Sequence, residues 1–209
     1  MKRTITVTGS GSAAAVPDLV TLTLGVETRR ETAAKAYDDA GKSAAAVAAG
    51  LRAAGVADAD LRTSGLNLRA DLVWVEGQGQ KVTAYVASTT LHVGIRSHAD
   101  APAAIAAAVA AGGDDIRING LEQGHADPSR VTGQAQEAAW QDAVTRAEQY
   151  ATLASAHLGS VVSISQQPAQ SGPIPLAGMV RASYAAEALP VEAGESVVSA
   201  SVTVEWELI

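Results

Sequence analysis

Residues 18–28, DLVTLTLGVET, alternate without interruption: Val20, Leu22, Leu24 and Val26 fall on one face, Thr21, Thr23 and Glu27 on the other. A period of two in apolar and hydroxyl residues marks a strand with one buried face. Pro17, just ahead, suits a strand start, where its missing N–H breaks no ladder. From Glu31 to Ala54 the period lengthens to three and four. Tyr37, Ala40, Ala44, Val47 and Leu51 make one stripe, and Lys35, Asp38, Asp39 and Lys42 fall outside it. This is an amphipathic helix closing at Gly55. A strand passing directly into such a helix sets an α+β pattern.

Upstream, Thr4 to Thr8 alternates as a short strand, and Gly9 to Ser12 is expected to turn the chain. Downstream, 60–69 and 82–96 predict a long hairpin with its tip at Gly77-Gln78-Gly79. On its second strand Tyr85, Ala87, Thr89, Leu91, Val93 and Ile95 share a face. A helix is expected from Ala101 to Ala111, opened by Asp100-Ala101-Pro102 and stopped by Gly112-Gly113, then a strand from Ile116 to Glu122. Asp127-Pro128 starts a long helix predicted to reach Leu158 and stop at Gly159. Its small-residue stripe is Ala135, Ala139, Ala143, Ala147, Tyr150 and Ala154. Strands follow at Val161–Ser165 and Glu195–Leu208, the last turning Val198, Ala200, Val202, Val204, Trp206 and Leu208 inward. The expectation is a single α+β domain over residues 1–209, with one mixed, mainly antiparallel sheet covered by helices.

The chain of 209 residues has 47% hydrophobic residues but no Phe, so the core must rest on Val, Leu, Ile and close-packed Ala. Trp74, Trp140 and Trp206 are its expected large anchors. A net charge of −7 with 15 scattered basic residues excludes a nucleic-acid partner, which needs clustered cations. Without Cys there is no disulfide, thiolate metal site or Cys nucleophile. No apolar run approaches the roughly 20 residues of a transmembrane segment. Met1-Lys2-Arg3 and Ala13-Ala14-Ala15 resemble the ends of a signal peptide, but Thr4 to Ser12 alternates where a continuous apolar stretch is needed. As it stands the sequence reads as cytoplasmic, or as periplasmic or exported if a leader has been removed.

The candidate chemistry is thin. Gly41-Lys42-Ser43 is a fragment of a phosphate loop, but Ala36 stands where the motif needs glycine, and the fragment lies inside a helix. His98-Ala99-Asp100 and His125-Ala126-Asp127 could make a two-His, two-carboxylate metal site if they converged. Helix capping already explains both Asp residues, so neither His is expected to be a ligand. Glu205 and Glu207 share a strand face opposite Trp206, which is solvent rather than the desolvated setting acid–base work requires. Ser64, Ser88 and Ser201 have no neighbouring His or nucleophile elbow. Asp38-Asp39 and Asp114-Asp115 lack calcium-loop spacing. The expectation is no enzyme and no cofactor. Gln167 to Gly194, rich in Pro, Gly and Ala, is instead expected to be an assembly or binding loop, through Ile174, Leu176, Met179, Val180, Tyr184, Leu189 and Val191.

Several segments, in order, resemble the SIMPL family. They are Ile5-Thr6-Val7-Thr8-Gly9, Pro17-Asp18, Leu24-Gly25-Val26-Glu27-Thr28, Thr63-Ser64-Gly65-Leu66, Tyr85-Val86-Ala87-Ser88, Asp142-Ala143 with Arg146-Ala147, and Val198-Ser199-Ala200-Ser201-Val202-Thr203-Val204. The family includes exported bacterial proteins and a eukaryotic kinase-associated signalling protein. The resemblance implies a mixed sheet with packed helices, no established reaction and, in some bacterial members, ring-like or channel-like homo-oligomers. The resulting expectation is a non-enzymatic, self-assembling protein with a stress-related or scaffold role and an unknown protein or peptide partner. The alternative is a small-molecule or peptide binding module acting as a monomer or dimer.

Overall fold

The computed structural model describes residues 3–166, 174–175 and 191–209. Their order is β1 (Thr4–Ala15), β2 (Leu19–Arg30), α1 (Ala33–Ala53), β3 (Leu61–Val75), β4 (Gly79–Ile95), α2 (Ala101–Gly112), β5 (Ile116–Gly124), α3 (Ser129–Leu153), β6 (Leu158–Gln166), β7 (Ile174–Pro175) and β8 (Ser196–Leu208). The α+β class and the antiparallel pairing are as expected. The strands, however, divide between two four-stranded sheets rather than one, and the chain forms two compact units that change over at Pro17/Asp18 and Gly124/His125, with 191–193 returning to the unit of residues 18–124 before Gly194.

The unit built on residues 18–124 has the strand order β3-β4-β2-β5, every pair antiparallel. Alternation on β2 puts Val20, Leu22, Leu24 and Val26 fully inside, against Leu91, Val93 and Ile95 of β4. Val47 and Leu51 of α1 and Ala101, Ala104 and Ala108 of α2 close this core. Thr32 caps α1 by accepting the Lys35 N–H at 3.3 Å. The buried stripe of α1 is Ala36, Ala40, Val47 and Leu51; Tyr37, expected on it, points off it and is 51% exposed. The β3–β4 hairpin turns at Gly77 and Gly79, both with positive φ, and its pairing continues to Val75↔Gly79, well beyond the predicted strand ends.

In the other unit β8 pairs with β1 over twelve residues, from Thr4↔Glu207 to Ala15↔Ser196, and its other edge takes β6 and β7. The predicted turn at Gly9 to Ser12 is a correction: β1 runs straight through it. The glycines serve α3 instead. A Cβ on Gly9 would overlap backbone atoms of Ala139 and Ala143, and one on Gly11 those of Ala135 and Ala139. Ala135, Ala139, Ala143, Ala147 and Ala151 of α3 are buried here, while Tyr150 and Ala154 are not. Trp206 and Val204 of β8 complete the contact, with the Trp140 and Trp206 rings 6.1 Å apart and tilted. The helix ends at Leu153 rather than Leu158, because Ser155 takes the positive φ of 52° that was expected of Gly159.

Candidate functional site

The first feature that packing does not explain is the β3–β4 hairpin. β3 is outermost in its sheet, so one backbone edge is unpaired among the described residues. Leu66, Leu68, Leu72, Val73, Trp74 and Val82 are all exposed, Trp74 at 72% and Leu66 at 64%. Trp74, expected as a core anchor, is therefore a surface residue. It pairs with Gln80 near the hairpin tip, past the part of the sheet whose buried face meets the helices. The missed signal was its distance of three residues from Gly77, since a hairpin tip projects and is seldom covered.

The second feature is a polar groove of about 800 Å³ in the same unit, lined by Arg30, Asp39, Lys42, Ser43, Asp114 and Asp115 among others. Arg30 Nε donates to Asp39 Oδ2 at 2.6 Å, and its Nη2 lies 3.8 Å from Asp115 Oδ2. Lys42 Nζ is 3.7 Å from Asp39 Oδ1. The Arg30 hydrogen bond, with the charges of Arg30, Lys42 and Lys35, holds the Asp39 carboxyl below its ordinary range despite partial desolvation. Such a carboxylate stays ionised and makes a poor proton donor. Lys42, of the Gly41-Lys42-Ser43 fragment, sits on α1 as part of this network rather than in a glycine loop.

His98 and His125 belong to different units. His98 Nε2 is buried without a hydrogen-bond partner. His125 Nε2 lies 2.8 Å from Ser196 Oγ, which also donates to the Ala15 carbonyl at 3.3 Å. Asp127 accepts from both the N–H and the hydroxyl of Ser129, which lower its pKa and secure the start of α3. Asp100 makes no side-chain bond to α2, so its expected capping role is corrected: its backbone is already helical, not in the extended conformation typical of a capping side chain. Glu205 accepts from Ser163 Oγ at 3.3 Å on the face away from Trp206. Ser64, Ser88 and Ser201 stand opposite Thr90, Glu27 and Ser10 in their sheets. Among the described residues no three His, Asp or Glu side chains converge, and no helix is long and apolar enough to cross a membrane.

The model of the SIMPL family, described as a protein of unknown function (DUF541), matches residues 5–206, from β1 to β8. The chain belongs to the SIMPL family. It is 31% identical over 216 residues to the 26 kDa periplasmic immunogenic protein of Brucella melitensis, covering 98% of this chain and 84% of that protein. It is 28% identical over 198 residues to the uncharacterized protein YggE of Escherichia coli, covering 95% and 78%. A solved aminobenzoyl-glutamate utilization protein from Klebsiella pneumoniae, at 17% identity, covers 59% of this chain and 32% of its own with a TM-score of 0.20, too low to carry an argument.

Of the assembly loop read from the sequence of this SIMPL protein, Leu176, Met179, Val180, Tyr184 and Leu189 lie outside the described residues. The backbone of Ile174 pairs with Val197 in β7. Val191 is half-buried against the core of the 18–124 unit. Of the exposed hairpin residues the sequence marks Trp74 only as a core anchor and Leu66 only within the family resemblance, and the strands expected at 60–69 and 82–96 leave out Leu72, Val73 and Trp74.

Proposed function

We propose that this SIMPL protein works by self-assembly rather than catalysis, with the β3–β4 hairpin as the contact between copies. The observation that carries the reading is Trp74, the most exposed of six large apolar side chains on one edge hairpin. An exposed apolar edge strand is a template for pairing, and proteins that leave one open commonly use it. The exposed apolar part of the hairpin, from Leu66 to Val82, is electrically neutral in a chain of net charge −7: its cations are Arg69 and Lys81 and its anions Asp71 and Glu76. Two like copies can therefore meet there without the repulsion that the rest of the surface would impose.

The chain has a mass of 21.1 kDa, so light scattering on the eluted protein should report a multiple of it. Trp74→Ser should lower that mass while leaving the unfolding midpoint nearly unchanged, because the ring is outside the core. A monomeric parent, or an unchanged assembly in the variant, removes this reading. The periplasmic placement named for the Brucella relative supports the same compartment here, over the cytoplasmic reading of the residues as they stand. A second reading, binding of a small polar ligand, is favoured by the groove around Arg30, Asp39 and Lys42. A ligand-induced rise in melting temperature that Lys42→Ala abolishes would single it out.

A further inference from the structure

β1 presents a hazard different from that of the hairpin. Its twelve residues, TITVTGSGSAAA, carry no charge and no Pro, and it lies at the end of the order β1-β8-β6, so its outer edge has no strand partner among the described residues. Uncharged, regular edge strands invite pairing with a second copy, and natural sheets commonly block them with a charge. None of the strand's own residues supplies that charge; α3 does. The backbone N–H of Ser10 points away from β8 and donates to Asp142 Oδ2 at 2.9 Å, and the Ser10 hydroxyl lies 3.5 Å from the same oxygen. Arg146, one turn along α3, donates from Nε to Asp142 Oδ1 at 3.0 Å and fixes the carboxylate in place. The arrangement depends on Gly9 and Gly11, which let the α3 backbone come close enough for a short Asp to reach the strand edge.

We propose that Asp142 is an edge guard, which occupies the Ser10 donor on the outer edge of β1 and so keeps a second copy of this chain from adding to it. An incoming strand would have to take the Ser10 N–H from a charged acceptor and set its own carbonyl against a carboxylate. The hydrogen bond from Ser10, with the Arg146 contact adding to it, also holds the Asp142 carboxyl below its ordinary range, so the guard stays charged through the neutral and mildly acid range. The claim concerns β1 alone and stands whether or not copies meet at the hairpin.

The test compares the parent, Asp142→Ala, and the double variant Asp142→Ala with Ser10→Pro, at matched concentration, by light scattering and thermal unfolding. Proline at position 10 removes the donor itself; where it is not tolerated, Ser12→Lys puts a charge back on the edge. Opening the edge should at least double the mass of Asp142→Ala relative to the parent, whatever the parent's mass, and the second substitution should return it to the parent value. Three results overturn the proposal. They are an Asp142→Ala protein of parental mass, an enlarged one that neither second substitution reverses, and one that has lost its cooperative unfolding transition, which would make Asp142 a structural tether only.

Discussion

The two units join helix to sheet in opposite ways. In the unit built on residues 18–124, branched and long aliphatic side chains fill the space between the layers: Val20, Leu22, Leu24 and Val26 from β2 meet Val47 and Leu51 from α1. In the other, α3 lies so close to β1 that Gly9 and Gly11 have no room for a methyl group, and alanines line the facing helix. The first contact draws on apolar area removed from water; the second draws on backbone proximity and many short dispersion contacts. The contrast teaches that the same layered architecture tolerates change differently in its two halves. The first should feel lost volume most, the second added volume.

The sharpest way to break this contrast is Gly11→Val. Its side chain would meet the backbone of Ala135 and Ala139, which cannot rotate aside, so α3 must shift as a body. The expected loss is more than about 3 kcal/mol, beyond the usual cost of overpacking, and is read from the urea midpoint. Leu22→Ala, in the aliphatic contact, should cost about 3 kcal/mol by leaving a cavity among fully buried neighbours. A cost below about 1 kcal/mol would mean that this core collapses onto the gap and is less tightly filled than described.

The smallest effect belongs to Gly25→Ala, which sharpens the comparison. Gly25 is buried on β2, yet its new methyl would meet chiefly the side-chain amide of Asn119, which can swing away. A change of about 0.5 kcal/mol or less is expected, of either sign, because alanine also lowers the entropy of the unfolded chain. If Gly25→Ala were as damaging as Gly11→Val, burial rather than backbone proximity would be the controlling quantity.

What was legible in the sequence follows the same division. β2, β4 and α1 announce themselves because alternation or a helical stripe is local, and a buried face needs residues that show it. Gly9 and Gly11 read locally as a turn because glycine's local meaning is conformational freedom, whereas here its role is the missing side chain beneath a helix more than 120 residues away in sequence. The division into two sheets was equally hidden. Nothing in the Thr/Ser/Gly alternation of β1 says that its partner is β8 at the far end of the chain. The exposed hairpin was missed for a related reason: Leu72 and Trp74 look like core residues until one knows where the helices stop covering the sheet. Of the candidate chemistry, the separation of His98 from His125 into different units depends on tertiary structure alone.

The placement of β8 has a consequence for biosynthesis. β8, which follows the other described strands in sequence, is the central one of its sheet, bonded to β1 on one side and to β6 on the other. Residues 18–124 are contiguous and can begin to collapse as soon as they emerge, but β1, made before them, has no ladder partner until Ser196–Leu208 has been synthesised. At the usual 5–20 residues per second, the interval between Gly124 and Ile209 is roughly 4 to 17 s. During that time the uncharged β1 strand has neither its ladder partner nor, until α3 has been made, Asp142 across its edge. The nascent chain is thus most in need of a holding chaperone at β1.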